Sequence, residues 1–578
     1  MSRLVRIGGG SAFFIDSAIA VPQLLATEVD YIVLDYLAEA AMGLLGRMRA
    51  ADPASGFPSD FMDVHIGPFL GQIADKRVRI VANAGGVNPA GLAALLRKRI
   101  GELGLSLKVA CIAGDDLTDR AELLRAAGVP GAGLTSANAY LGAFPIAEAL
   151  RQGADIVITG RVVDSALALG PLIHEFGWGA TDWDLLAAGT VAGHLIECGA
   201  QVTGGTFTDW REVEGWANIG SPIAECASDG SVVVTKPEGT GGQVSIGTVA
   251  EQLLYEVGDP QAYFVPDVTC DFSTVRLEEI RPDKVRVTGA TGYPPPATLK
   301  ACATYDDGWR AVAYQPVIGP AAVDRARKQA EAMFARGRIM LCGRNLADFR
   351  RTEAVLIGAG ESIGPRGAVS DAQEIVLKLV VEHDEALGAQ LFAREQFATI
   401  SAMAPGTSVA FGVQVQPCMH LVSFLVGKEA VTPTIDLGDG AVPFEAPMQA
   451  GFDPAMIVRP DRPEPDGDAH AGTLLERLAW ARSGEKGETI NIAVIARHAA
   501  YLPWLRAALS EPAVAAWFAH LGDVKVSLYD VPGILAINIV LDGALPGGIN
   551  ASQRLDPAAK SVAQQLMRFP VPVPAGLV

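Results

Sequence analysis

The stretch Ala154-Asp-Ile-Val-Ile-Thr-Gly-Arg-Val-Val-Asp164-Ser-Ala-Leu-Ala-Leu-Gly-Pro171 decides the fold. Ile156 to Ile158 reads as a buried strand, Gly160 as a tight turn, and the residues after it, with Val163, Leu167 and Leu169, as a helix. A strand that ends in glycine and opens straight into a helix sets its turn at the carboxyl edge of a parallel sheet. Open α/β sheets bind ligands at that edge. Arg161 and Asp164 fall at the helix start, where unpaired N–H groups and the helix dipole favour anions. Asp164 either caps the helix with Arg161 neutralising it, or the two face a ligand.

The same grammar recurs across residues 1–190. Leu4 to Ile7 runs into Gly8-Gly9-Gly10-Ser11, and Tyr31 to Leu34 into Asp35-Tyr-Leu-Ala-Glu39. Val78 to Ala82 runs into Asn83-Ala-Gly-Gly-Val-Asn88-Pro89, and Lys108 to Ile112 into Gly114-Asp115-Asp116. Short apolar runs alternating with helical patterns predict βαβ units and a mostly parallel sheet. Parallel strands deliver their carboxyl ends to one edge. Asp35, Glu39, Asn83, Asn88, Asp115, Asp116, Arg161 and Asp164 are therefore expected to converge on one cleft. Taken singly, each Asp or Asn is equally a turn former or a helix cap. Gly8-Gly9-Gly10 does not fit a dinucleotide fingerprint and suits close backbone approach instead.

Three later segments add candidate chemistry. Thr135-Ser-Ala-Asn138-Ala-Tyr140-Leu-Gly-Ala-Phe144-Pro145 reads as an aromatic loop, a substrate wall or a dimer contact. In His194-Leu-Ile-Glu197-Cys198-Gly199, Glu197 suits a general base and Cys198 a thiol. His194, one turn before Cys198, is the positive neighbour that would lower the thiol pKa; otherwise Cys198 is a small buried apolar residue. Lys236-Pro-Glu238-Gly239-Thr240-Gly241-Gly242 follows a strand and reads either as a nest of N–H donors for an anion or as a plain glycine turn.

Residues 191–452 are expected to form an α+β extension, with strands near 285–288, 312–314 and 374–381 and helices near 321–336 and 384–403. Proline and charge dominate 453–472, which reads as a linker. Residues 473–578 then form a small ferredoxin-like α/β sandwich that closes on a helix at 556–568.

Bulk properties narrow the function. Of 578 residues, 49% are apolar and 19% charged, a folded-protein composition. With 46 basic and 65 acidic residues the net charge is −19, which disfavours nucleic acid and anionic membranes as partners. Seven cysteines without a CxxC pair suit reduced thiols rather than zinc or disulfides. The sequence has no signal-peptide pattern and no apolar run of about 18 residues, so a cytoplasmic protein is expected. A homo-oligomer that binds a small molecule is the expectation from size and the aromatic loop.

The motifs at Gly8–Gly10, Asp35–Glu39, Asn83–Pro89, Thr159–Asp164, Glu197–Gly205 and Lys236–Gly242 together resemble the acyclic terpene utilisation (AtuA-type) family. Arg482-Ser-Gly-Glu485-Lys486-Gly-Glu-Thr-Ile-Asn-Ile492 and Leu541-Asp-Gly-Ala-Leu-Pro-Gly-Gly548 resemble the ferredoxin-fold module that often follows in it. Glu485 departs from the Asp usual there. The resemblance implies catabolism of branched, terpene-like acids through CoA thioesters and leaves the reaction open.

The leading expectation is non-redox hydratase, lyase or acyl-transfer chemistry on such an acid or its acyl-CoA. Catalysis is assigned to Arg161, Asp164, Glu197 and Cys198. Glu197 or Asp164 is the base, and Arg161 binds a carboxylate or enolate. Substrate binding is assigned to Asp35, Glu39, Asn83, Asn88, Asn138 and Glu238, with Gly239, Thr240, Gly241 and Gly242 donating N–H groups. No cofactor is firmly implied. Alternatives are a divalent-metal enzyme using Asp35, Asp115, Asp116 and Asp164 on Mg²⁺, and a noncatalytic scaffold.

Overall fold

A computed structural model describes residues 3–577 except positions 463 and 470. Met1, Ser2, Val578 and those two positions of the expected linker lie outside the described residues.

The parallel strands are β1 (Leu4–Ser11), β2 (Tyr31–Leu34), β3 (Arg79–Ala82), β4 (Val109–Ala113) and β6 (Ile156–Thr159), while β5 (Leu134–Ala139) belongs elsewhere. They pair in the order β1-β2-β3-β6-β4. Both faces of this sheet are covered, which is why β2, β4 and residues 80–82 and 156–158 are continuous apolar runs. Val5, Ile7, Val33, Val81 and Val157 pack into one core, and Ile32, Leu34, Ile80, Ile156 and Ile158 into another on the opposite face. The helices that matter for the site are α1 (Glu39–Ala51), α2 (Pro89–Glu102), α3 (Ala166–Phe176) and α4 (Trp183–Glu197).

These five strands are parallel as expected, and the complete sheet is mixed, not purely parallel. Beside β1 lie β7 (Ile223–Ala227), β8 (Val232–Thr235) and the hairpin β9 (Arg276–Arg281) and β10 (Lys284–Thr288), all in antiparallel pairings. The other edge is extended past β4 in the same way by Thr434–Asp436 and Val442–Pro443. Residues 191–452 therefore add strands to both edges of the first sheet. They also build a second sheet on the 21-residue strand β11 (Thr298–Ile318), which is flanked by Glu374–His383 and Phe411–Gly427. Helices Ala322–Cys342 and Ala386–Glu395 lie near their expected places.

The expected aromatic loop begins as a strand. β5 pairs with β11, with Asn138 opposite Cys302. This pairing joins the two sheets and carries Tyr140 between them. Gly8, Gly9 and Gly10 lie inside β1, not in a loop after it; a Cβ on Gly9 would stand 2.4 Å from the Ile196 carbonyl oxygen, so the glycine lets α4 cross β1 closely.

The C-terminal residues form an antiparallel sheet from β12 (Ala479–Lys486), β13 (Thr489–Ala496), β14 (Lys525–Val531) and β15 (Ala536–Asp542), in the order β12-β13-β15-β14. The expected last helix is short, Val562–Leu566, and is followed by a strand, Pro570–Val573, which pairs with Ala471–Leu474. Polar contacts clamp this sheet onto the rest of the chain. Arg497 grips Asp209 through two bonds of 2.6 Å, and Trp480 Nε1 donates to the same carboxylate at 2.7 Å. Asn538 Nδ2 donates to the Val257 and Gly258 carbonyls. Among the described residues, no helix is long and apolar enough to cross a membrane.

Candidate active site

The carboxyl ends of β2, β3, β4 and β6 meet as the strand pattern requires. Asp35 Oδ1 accepts Asn83 Nδ2 at 2.6 Å, and Asn83 Oδ1 accepts the Tyr36 N–H at 2.7 Å. Asp115 Oδ2 accepts the Arg161 N–H and Asn138 Nδ2, at 2.8 and 2.7 Å. A Cβ on Gly160 would stand 2.3 Å from Asp115 Oδ1, so glycine is what allows this turn to close on β4.

Arg161 is 1% exposed. A buried guanidinium must be paired. Its Nη1 donates to Asp164 Oδ1 at 2.6 Å, and its Cζ lies 4.0 Å from the centre of the Tyr140 ring. Asp164 does not cap α3, which starts at Ala166 without a side-chain cap. Tyr140 in turn donates to Glu39 Oε1 at 2.7 Å, and Lys300 Nζ donates to the same oxygen at 2.9 Å. Burial alone would push the Glu39 carboxyl up, but Lys300, Lys486 and Arg161 outweigh it and hold the group well below the usual range.

The second half of the site rides on α4. Its helical spacing places His194 beside Glu197, with Nδ1 3.0 Å from Oε1. Nε2 lies 3.1 Å from the Leu253 carbonyl. Both neighbours are acceptors, so making both bonds requires both ring nitrogens to carry protons. Burial opposes that charge, yet Glu197 raises the His194 pKa overall. Glu197 Oε2 is buried and has no hydrogen-bond partner among the described residues.

Three carboxylates act on one another here. Burial and the nearby Asp164 hold Asp35 well above the carboxylate range, with Glu197 adding to the effect. Burial also raises Glu197, against the pull of His194. Burial thus favours the protonated form of Asp35 beside a base that a histidine helps to ionise, and such separation of two carboxyl groups is how acid and base roles are divided.

Several expected site residues do other work. His194 does not serve Cys198, since both ring nitrogens are engaged elsewhere. Burial and Glu197 push the Cys198 thiol well up, which disfavours a thiolate nucleophile. Asn88 caps α2, with Oδ1 accepting the Gly91 N–H and Nδ2 donating to the Ser55 carbonyl. The loop at 236–242 is stitched to residues 214–220: the Gly241 N–H donates to Asn218 and the Gly242 N–H to Glu214, both at 2.8 Å. Thr240 N–H turns back to Pro237, and Glu238 and Gly239 are exposed. That loop is a glycine turn, not an anion nest. Asp116 is exposed and holds Thr118 in a turn. Among the described residues, no three His, Cys, Asp or Glu side chains stand together as they would around a metal ion.

The C-terminal sheet also reaches the site. Lys486, at the end of β12, places Nζ 2.8 Å from Glu256 Oε2. Glu256 has φ +60°, the left-handed region that a non-glycine residue seldom enters. Asn491 of β13 accepts its N–H at 2.9 Å and holds it there.

A family model for the acyclic terpene utilisation family protein AtuA matches residues 5–437. The chain belongs to this AtuA family. A second model, the AtuA ferredoxin-like domain, matches residues 473–572. No curated protein matches the chain. In this family member the ferredoxin-like domain carries both Glu485 and Lys486. Burial, with Glu256 and Glu39 nearby, pushes Glu485 up to about 8. Tyr140, Lys300, Glu256 and Lys486 were absent from the expected site. Tyr140 was legible as an unusual aromatic. Lys486 was legible within the motif of the ferredoxin-fold module, while Lys300 and Glu256 come from distant segments and gave no local signal.

Proposed function

We propose that the chain is a non-redox enzyme of hydratase or lyase type that acts on a small branched or terpene-derived acid or its acyl-CoA thioester. The observation that carries this reading is Glu197. One of its oxygens is held by His194 and the other is buried without a partner among the described residues, in a cluster with Asp35, whose carboxyl burial and Asp164 push up, and the buried cation Arg161. Family membership supports the terpene setting.

In this reading Arg161 steadies the charge that develops on the acyl oxygen. Water adds to the β-carbon of a 2,3-unsaturated acyl group, and Glu197 Oε2 accepts its proton. Asp35 delivers its own proton to the α-carbon, and solvent exchange restores both carboxyl groups. The reverse direction is an elimination. Acyl transfer through Cys198 is the weaker reading because that thiol stays protonated.

The test is turnover in D₂O with branched 2-enoic acids and their CoA thioesters, followed by NMR and mass, with and without Mg²⁺. Deuterium at the α-carbon, lost in Glu197→Gln, is the expected result. A folded wild-type protein that labels none of these substrates overturns the reading.

A further inference from the structure

Three lysines from three distant segments are ion-paired to Glu39 and Glu256, and the mechanism above uses none of them. Lys486 and Lys560, both of the C-terminal part, share Glu256: Lys486 Nζ is 2.8 Å from Oε2 and Lys560 Nζ 3.6 Å from Oε1. Lys300, on β11, bonds Glu39 Oε1 at 2.9 Å. Their side chains keep 45, 48 and 36% of their surface open to water, while Arg161 and His194 are sealed. The lysines are thus the water-exposed part of the ionic cluster, and Arg161 and His194 its buried part.

Charge counting gives this cluster a sign. Glu256 and Glu39 are the two acids paired to the three lysines. Arg161 is matched by Asp164, and His194 by Glu197. Glu485 and Asp35, the remaining acids here, are both pushed up by burial, Glu485 to about 8 with Glu256 and Glu39 adding to the effect. The three lysines outnumber their two partner acids by one, in a chain whose net charge is −19. A local excess opposite to the global charge concentrates anions at that spot.

We propose that Lys486, with Lys300 and Lys560, binds a free carboxylate carried by the substrate, so that the ferredoxin-like domain supplies the anion-recognition half of the site. This rests on the functional reading above and narrows its substrate class: a compound that bears its own carboxylate, as opposed to one whose only acyl group is a neutral thioester. Lys486 is the central member because it is ion-paired to Glu256 and its charge also acts on Glu39, and its ammonium stays charged. Burial works against that charge, but Glu256, Glu39 and Asp164 together outweigh it.

The experiment is calorimetric binding of 3-methylbut-2-enoate, its methyl ester and its CoA thioester to the full chain and to Lys486→Met, Lys486→Arg and Lys300→Met. A charge-assisted contact predicts that the acid binds about tenfold or more tighter than the ester. Lys486→Met is expected to erase that preference, Lys486→Arg to keep part of it, and Lys300→Met to weaken it. Thermal midpoints check that the variants stay folded. Equal affinity for acid and ester, binding of the thioester alone, no binding by any probe, or acid binding unchanged in Lys486→Met each overturns the proposal. Lys486-dependent acid binding without any deuterium incorporation would sink the hydratase or lyase reading and leave this one standing.

Discussion

Glu197 and His194 lie one helical turn apart on α4, and they divide the carboxylate into two unlike oxygens. Oε1 meets the imidazole at 3.0 Å, and Oε2 is buried with no partner among the described residues. The arrangement resembles a base with its orienting group. Glu197→Gln is expected to reduce α-proton exchange by about 100-fold or more while leaving the fold intact. Retention of most of the rate would reject Glu197 as the base.

The pH profile should be bell-shaped. The rate rises with pH as Glu197, whose pKa is raised, loses its proton. It falls again when Asp35, which burial and Asp164 hold well above its usual value, loses its own. His194→Ala removes the group that favours ionised Glu197, so the rising limb is expected to move to higher pH. A profile that does not move would show that the imidazole has no part in setting the base.

Cys198→Ala is expected to keep turnover within about twofold, because a thiol raised by burial and Glu197 is not a nucleophile near neutral pH. Iodoacetamide at pH 8 should label exposed Cys342 before Cys198. Rapid labelling of Cys198 with loss of activity would return the thiol to the mechanism.

Glu251 makes a prediction about stability. Burial pushes its carboxyl up to about 7, and its Oε2 has no partner among the described residues. The folded chain therefore holds this proton over a pH range in which the unfolded chain has released it. Stability should fall as pH rises from about 4 to about 7 through this group. Glu251→Gln is expected to raise the unfolding free energy at pH 8 by roughly 1–3 kcal/mol and to have little effect at pH 4. Urea titrations at the two pH values check this, and a variant less stable than wild type at pH 8 would refute it.

Gly160→Ala would place its Cβ 2.3 Å from Asp115 Oδ1, an oxygen of a carboxylate already fixed by Arg161 and Asn138. Neither side can yield freely, so a loss of about 1–3 kcal/mol is expected from the urea midpoint. An unchanged midpoint would mean that the β6 turn is looser than this packing implies.

The sequence by itself determined the parallel core and the place of half the site. Ile156–Thr159 and its sister strands are apolar runs because both sheet faces are covered. Strand ends are polar because that is where the chain leaves the core. Asp35, Asn83, Arg161 and Asp164 could be read from that rule, and Glu197 from its position at a helix end. The rule could not separate Asn88, which caps a helix, from Asn83, which holds Asp35, since both are asparagines after the same strand. Only the tertiary structure decided the rest. It set antiparallel strands on both edges of the sheet, turned the aromatic loop into a strand that presents Tyr140, and brought Lys300, Glu256 and Lys486 to the cluster from positions far apart in the chain. Local patterning encodes which face of an element is buried. It does not encode which distant charge will be needed to balance a buried one, because that depends on how the separately patterned pieces pack together.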